Sequence, residues 1–253
     1  MKISRNTILV TGGGSGIGRA LAEAFHARGN RVIIAGRRSA MLEEVVRANP
    51  GITALILDIE DPAAIRAFAA QLTAQFPALN VVIHNAGIMR PENLHDAPAA
   101  LSDAEAQIAT NLLGPIRLTA ALLPHLLRQT DATIMTVTSG LAFVPLALFP
   151  TYCATKAALH SYTESLRFQL RDSKVEVIEL PPPYVQTELT GTHQASDPHA
   201  MPLKDYIAET MQLLATTPTP AEILVERVKP LRFAGQGDYA GFVETLNEAF
   251  AKP

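Results

Sequence analysis

The chain has 253 residues, of which 48% are apolar and 18% charged, with a net charge of −3. That is an ordinary globular composition, long enough to bury a substantial core, and its weakly acidic balance gives no reason to expect binding to nucleic acid or an anionic membrane. A single cysteine, Cys153, excludes an intrachain disulfide and argues against a cysteine-based metal cluster.

The first six residues, Met1-Lys2-Ile3-Ser4-Arg5-Asn6, are mostly polar and lead directly into Thr7-Ile8-Leu9-Val10, too short a run for the core of a secretory signal. No apolar run approaches the roughly 18–20 residues that span a bilayer, so a cytoplasmic location is expected. Short runs rich in Val, Ile and Leu at 7–10, 31–35, 52–57, 80–84, 132–138 and 174–180 read as strands buried on both faces. Between them, 16–28, 39–48, 63–75, 102–128 and 152–171 read as helices. Strand–helix–strand repetition predicts an α/β fold: one doubly wound parallel sheet flanked by helices on both faces. No linker-like break divides the chain, so one domain over 1–253 is expected.

The pattern changes after Leu180. Residues 186–202 are rich in Thr, His, Pro and Gly, which predicts a mobile loop, and 203–214 reads as a short helix. The segment at about 186–216 is the expected lid over a cleft; His193 and His199 in it are read as solvated. Thr219-Pro220-Ala221-Glu222 reads as a capping box with proline at the first helical position, opening a helix through Val228. Tyr239, Phe242, Val243, Leu246 and Phe250 are spaced for a last amphipathic helix over 238–250.

Thr11-Gly12-Gly13-Gly14-Ser15-Gly16-Ile17-Gly18 joins the first strand to the first helix. Glycines let the backbone turn sharply and approach a pyrophosphate, and the helix start offers unpaired N–H groups and a positive dipole end. A dinucleotide is therefore expected against Gly12, Gly14, Ser15, Gly16, Ile17 and Gly18. The second strand ends in Gly36-Arg37-Arg38, where an acidic residue would select NAD through the ribose 2′-hydroxyl. Guanidinium groups pair instead with a 2′-phosphate, so Arg37 and Arg38 favour NADP(H), with NAD(H) as the alternative. Asp58, followed by Ile59, ends the third strand over the same crevice, where its carboxylate could accept from the adenine amino group.

Tyr152 and Lys156 lie four residues apart and so share a helix face. An ammonium beside a phenol favours the phenolate, so the Tyr152 pKa is expected to fall toward the range of an acid/base catalyst. Ser139, thirteen residues upstream, could hydrogen-bond a substrate oxygen. Cys153 is read as a small buried spacer, without a companion base.

With Thr11–Gly18, Asn85-Ala86-Gly87, Asn111, Ser139 and Tyr152-x-x-x-Lys156 in this order, the chain resembles the classical short-chain dehydrogenases/reductases over roughly residues 5–190. The resemblance implies a Rossmann-type fold and reversible hydride transfer between a nicotinamide and a carbonyl or alcohol carbon. It implies Tyr152 as acid/base, and Lys156 as the group that lowers its pKa and bonds the nicotinamide ribose. Ser139 would orient the substrate oxygen, and Asn111 would hold a water in a proton relay. Asn85, Ala86 and Gly87 would lie along the cofactor, with Ile88 and Val137 as further contacts, and Val185 and Thr187 would receive the carboxamide. No metal ligand is expected. Dimers or tetramers built on the helices at 102–128 and 152–171 are implied as well.

Three departures stand out. His84 replaces an asparagine and is read as a hydrogen-bonded strand-end histidine. Pro181-Pro182-Pro183 replaces a proline–glycine pair, fixing φ and removing an N–H. The ending lacks a glycine-rich final strand. The proline run and this ending are similar to the DltE-like subgroup. Leu141, Phe143, Val144, Leu146, Leu148 and Phe149 precede Tyr152, with no Arg or Lys among them. Leu141, Phe143, Phe149 and Tyr184 are the expected substrate contacts, favouring an apolar ketone, aldehyde or alcohol. The same side chains could instead fill core or a subunit interface. A dinucleotide sensor without turnover is the competing reading, and intact Ser139, Tyr152 and Lys156 argue against it.

Overall fold

Six apolar runs pair side by side as parallel strands. The computed structural model describes residues 1–251, with side chains other than those of 96–100 and 251. The strands are β1 (Thr7–Thr11), β2 (Arg31–Gly36), β3 (Thr53–Ile56), β4 (Leu79–His84), β5 (Ala132–Val137) and β6 (Val175–Leu180), in the order β3-β2-β1-β4-β5-β6. Side chains alternate across a strand, so Ile8 and Val10 face one layer and Leu9 the other. Both layers are apolar, which is why these strands lack the polar alternation of half-exposed ones. On one face, α1 (Gly16–His26), α2 (Ser39–Ala48) and α8 (Leu203–Leu214) bury Leu21, Phe25, Leu42 and Tyr206. On the other, α3 (Pro62–Gln75), α5 (Gly114–Leu126) and α6 (Pro150–Gln169) bury Phe68, Leu72, Leu118 and Leu166. Asp61 caps α3, accepting from the Ala63 N–H at 2.7 Å.

The strand order reverses between β1 and β4. Ligands of open parallel sheets lie at this switch point, outside the carboxyl ends of the strands. The loops after β1, β4, β5 and β6 all open there.

The predicted helix over 102–128 is interrupted. It forms α4 (Ala97–Ile108), a π turn (Ala109–Leu113) and then α5. Pro115, at the start of α5, has no N–H to continue the ladder. Gly114 lies so close to Ile59 that a Cβ there would come within 2.6 Å of Ile59 Cγ1. The wide turn carries Asn111, in keeping with the tendency of π turns to occur at functional sites.

The helix expected from the Thr219–Glu222 capping box is not formed. Glu222 instead bridges Glu179 in parallel: the Glu179 N–H donates to Ala221 O at 2.9 Å, and the Ile223 N–H to Glu179 O at 2.8 Å. The segment puts Ile223 and Val225, two residues apart, into the core, so a strand period overrides the cap signal. A 3-10 turn (Glu226–Val228) and the short α9 (Lys229–Arg232) follow. Residues 186–202 hold only the one-turn α7 (Thr192–Ser196) and are tied back by Tyr184–Met201 and Gln186–Met201 backbone bonds. The final helix, α10 (Tyr239–Ala251), forms close to its expected bounds.

Candidate active site

The glycine loop is fastened to β4 by side chains. Asn85 Nδ2 donates to Thr11 O (3.0 Å) and Gly12 O (3.3 Å), and Thr11 Oγ accepts from the Asn85 and Ala86 N–H groups. Gly12 has φ +67°, and a Cβ there would lie 2.9 Å from Ala86 Cα. A Cβ at Gly18 would collide with Asn85 Nδ2 and Gly12 O. The result is a floor of bare backbone beside the α1 N-terminus, where N–H groups lack helical partners. Across the crevice, Thr187 Cγ2 comes within 3.5 Å of where a Gly16 Cβ would be. Thr187 Oγ accepts from Gln194 Nε2 at 3.1 Å, and Val185 is buried beside it.

The two arginines after β2 differ. Arg38 donates to Ser15 Oγ at 3.1 Å and so faces the glycine loop. Arg37 pairs with Glu60 at 2.8 Å and lies 3.9 Å from Asp58. Glu60, which also accepts from Thr110 Oγ, carries no motif, and no sequence signal marks it. Ile59 turns its side chain into the core against Gly114, so only its backbone is left for a ligand.

Tyr152, Lys156, Ser139 and Asn111 converge from α6, the end of β5 and the π turn, and all four are buried. Lys156 Nζ donates to Val137 O at 2.8 Å and lies 5.6 Å from the centre of the Tyr152 ring. Asn111 Oδ1 accepts from the Ile88 N–H, and its Nδ2 donates to Ile88 O and Thr155 Oγ. Thr155 Oγ in turn donates to Tyr152 O, tying the π turn to α6. Gly87 stands between Asn111 and Lys156: a Cβ there would be 3.3 Å from Asn111 Oδ1 and 3.7 Å from Lys156 Nζ. Ser139 Oγ accepts from the Leu141 N–H at 3.1 Å, capping a 3-10 turn.

The expected fall of the Tyr152 pKa is corrected. Burial pushes the phenol up to about 12, against a downward pull from Ser139, and pushes Lys156 down to about 8. Desolvation disfavours both charged forms, and it sets the direction of both shifts. The phenol is therefore protonated across the neutral pH range.

His84 shares a 2.9 Å hydrogen bond with Thr119 Oγ, and burial lowers its pKa to about 4, so the ring is neutral, as a strand-end structural histidine should be. Cys153 is buried, with Sγ accepting from the Leu146 N–H.

Beside Tyr152, Met89, Leu141 and Leu246 pack around Leu146, Phe149, Tyr152 and Cys153. Phe143 is engaged elsewhere: its ring stands edge-on to His160 at 4.9 Å and under the Arg232 guanidinium at 4.8 Å. Arg232 forks onto Glu222 (3.0–3.2 Å), and His160 Nδ1 donates to the fully buried Glu179 at 2.8 Å. Thr138, next to Ser139, donates to Glu179 at 2.6 Å. His160, Glu179 and Glu222 offer ligand atoms within 4.8 Å of one another, but Thr138 and Arg232 already engage the carboxylates. Tyr184 donates to Asp197 at 3.0 Å and meets Phe250 edge-on at 6.0 Å.

Glu92 is a second residue without a sequence signal. No side chain of α6 or its flank caps that helix; Glu92 does so from 59 residues away, accepting from the Thr151 N–H and Oγ and from Gln107 Nε2. It fixes the first turn of α6, which carries Tyr152.

A family model described as short chain dehydrogenase matches residues 6–198. Over 250 residues the chain is 40% identical to the uncharacterized oxidoreductase DltE of Bacillus subtilis (strain 168), covering 98% of each. It is similar to a solved short chain dehydrogenase from Burkholderia cenocepacia J2315 in complex with NADP, with TM-score 0.82, 25% identity, and 97% and 99% of the two chains covered. A 3-ketoacyl-(acyl-carrier-protein) reductase from Brucella melitensis complexed with NADH gives TM-score 0.77 and 25% identity, covering 86% and 93%.

Proposed function

The chain belongs to the short chain dehydrogenase family, oxidoreductases acting on CH–OH or C=O groups with a nicotinamide dinucleotide, and on that premise we propose an NADP(H)-dependent carbonyl reductase/alcohol dehydrogenase for fairly apolar ketones, aldehydes or their alcohols. The observation that carries this reading is the buried meeting of Tyr152, Lys156, Ser139 and Asn111 at the strand ends. The tight turn at Gly12 and Gly18, where a Cβ would collide with Ala86, Asn85 or the Gly12 carbonyl, supports a dinucleotide laid against bare backbone.

Gly12, Gly14, Ser15, Gly16, Ile17 and Gly18 would hold the pyrophosphate at the α1 N-terminus. Arg38 with Ser15, joined by Arg37, would take the 2′-phosphate, and Asp58 and Ile59 would take the adenine. Asn85, Ala86 and Gly87 would line the path to the nicotinamide. Lys156 would bond its ribose, and Val185 and Thr187 its carboxamide. Bound there, the dinucleotide supplies the hydride donor or acceptor. Ser139 and Tyr152 hold the substrate oxygen, and Tyr152 gives it a proton in the reducing direction. Asn111, on the other side of Gly87 from Lys156, would hold a water, and a proton from solvent would pass through that water and Lys156 back to Tyr152. Leu141, Phe149 and Tyr184 receive the apolar part of the substrate; Phe143, held by His160 and Arg232, shapes the wall indirectly.

The loop at 186–202 serves as the lid within the 186–216 segment, since α8 is anchored in the core by Tyr206 and Leu214. The same reading includes a single domain, a cytoplasmic location and a homodimer or homotetramer, for which exposed Leu127 and Phe168 on α5's end and α6 supply apolar surface. No helix is long and apolar enough to cross a membrane among the described residues.

One observation favours NAD(H) as the second reading: Arg37 is already paired with Glu60 and Asp58. Turnover of neutral ketones and aldehydes with NADPH and NADH separates the two. We expect NADPH to be preferred at least about tenfold in kcat/KM, the equivalent of one charged hydrogen bond. Arg38→Ala should erase that preference by raising the KM for NADPH. Equal use of both cofactors by the unmodified enzyme would overturn the NADP(H) assignment.

A further inference from the structure

Helix α10 takes no part in the proton and hydride chemistry, yet it is fastened across the approach to Tyr152. Tyr239, Phe242, Val243, Leu246 and Phe250 recur at helical spacing and form one stripe. Three side-chain bonds tie this helix to the segment that follows Ser139. The Tyr239 hydroxyl donates to Phe143 O at 3.2 Å. Asn247 Oδ1 accepts from the Ala147 N–H at 2.6 Å, while its Nδ2 donates to Pro145 O at 3.1 Å. Asn247 thus engages both a donor and an acceptor of one loop, 100 to 102 residues away in sequence, and sets the helix at a fixed height above it.

What the helix brings there is apolar. Leu246 packs on the cluster that contains Tyr152, beside Met89 and Leu141. One helical turn further, Phe250 meets the Tyr184 ring edge-on while 43% of its surface stays exposed. Leu246 and Phe250 therefore stand on the same side of the helix, one against the catalytic cluster and the other against Tyr184. Elsewhere on the helix stand the exposed Glu244 and Glu248, and residues 239–251 contain no Arg and only apolar, polar or acidic side chains. A carboxylate or phosphate on the substrate would find no cation on this wall and two carboxylates near it.

We infer that α10 is the outer wall of the substrate cleft, that Leu246 and Phe250 are specificity-determining contacts for an uncharged, elongated apolar arm of the carbonyl substrate, and that Asn247 is the clamp that sets the width of the cleft. The inference rests on the reading of Tyr152 as the acid that faces the carbonyl. Leu246 sets the depth near the reacting carbon, and Phe250 with Tyr184 flanks the far end of the arm.

The test uses the full-length enzyme with NADPH and a series of unbranched methyl ketones of rising length. Leu246→Ala should move the preferred chain length upward by one or two carbons and raise the KM for the shortest ketones about tenfold, the usual worth of a methylene or two in an apolar pocket. Asn247→Ala should flatten the chain-length preference while NADPH binding, measured by titration, stays within twofold. A second readout does not depend on turnover. The chain contains no tryptophan, so Leu246→Trp introduces a sole reporter. Its emission should shift to the blue on adding a long unbranched alcohol with NADP+, whereas Phe168→Trp on the exposed flank of α6 should not respond. A change in the chain-length profile or in the emission of the Leu246→Trp variant supports the wall. An unaltered profile in both truncations together with a silent reporter overturns it. Failure of the unmodified enzyme to reduce any carbonyl, with a responsive reporter, would instead remove the proposed activity and leave the wall standing.

Discussion

The two ends of this chain build the same crevice by different means. Around β1, α1 and β4, the floor is made by what is missing: bare backbone at Gly12 and Gly18, locked by Asn85 and Thr11. From α6 to the C-terminus, by contrast, long side chains do the tying: His160 on Glu179, Glu222 on Arg232 and, across a hundred residues, Asn247 on the 145–147 backbone. A floor of backbone must be specified locally, because only glycine tolerates the turn and the close approach. Contacts between side chains can be specified from anywhere in the chain.

Substitutions should expose that contrast. Gly18→Ala pushes a methyl into Asn85 Nδ2 and Gly12 O, two groups with no room to retreat. Overpacking of this kind costs about 1–3 kcal/mol. We expect a lower Tm and NADPH binding lost by titration; an unchanged affinity would show that the floor is softer than its contacts indicate. Glu92→Ala removes the distant cap of α6. A lost cap costs roughly 0.5–2 kcal/mol, and here it frees the turn bearing Tyr152. kcat should fall more than KM rises, and Glu92→Asp should restore little because the shorter side chain does not span to Thr151.

The smallest effect is expected in the distal network and should depend on pH. The Glu179 carboxylate raises the His160 pKa above its ordinary value near 6.5, against an opposing effect of burial; Glu164 and Glu222 add to the rise. A raised folded-state pKa means a contribution fully present below about 6.5 and lost as pH climbs through the folded value. Thermal melts from pH 6 to 9 should therefore show a decline in Tm that His160→Gln flattens. Thr138, Phe143 and Arg232 also contact this network, so a decline that persists in His160→Gln would assign the titration to another group.

The same contrast explains what can be read from the residues alone. The sheet is legible because strands buried on both faces are continuous apolar runs, and the glycine loop because its chemistry is local. That Tyr152 and Lys156 come together is legible from their spacing on α6, and Ser139 follows β5 close by. Asn111 can be named, but the π turn that carries it cannot, since Gly114 acts through its close approach to the remote Ile59. The Thr219–Glu222 cap signal is real as a pattern but loses to Ile223 and Val225, whose burial against β6 outweighs one capping bond. Glu60, Glu92 and Arg232 bear no local signature; their roles exist only once remote elements meet. The direction of the Tyr152 pKa escapes the sequence for a related reason: spacing reports the charged neighbour, while burial, the larger effect here, is a property of the folded chain.

The central claim is that a buried, protonated Tyr152 delivers the proton that accompanies hydride transfer. Its most direct test is the rate of NADPH oxidation by Tyr152→Phe against the best ketone or aldehyde found for the unmodified enzyme, with NADPH binding measured in parallel. A loss of about 10²–10⁴-fold in kcat with NADPH affinity preserved is the expected result; turnover within a few-fold of the unmodified enzyme would contradict it.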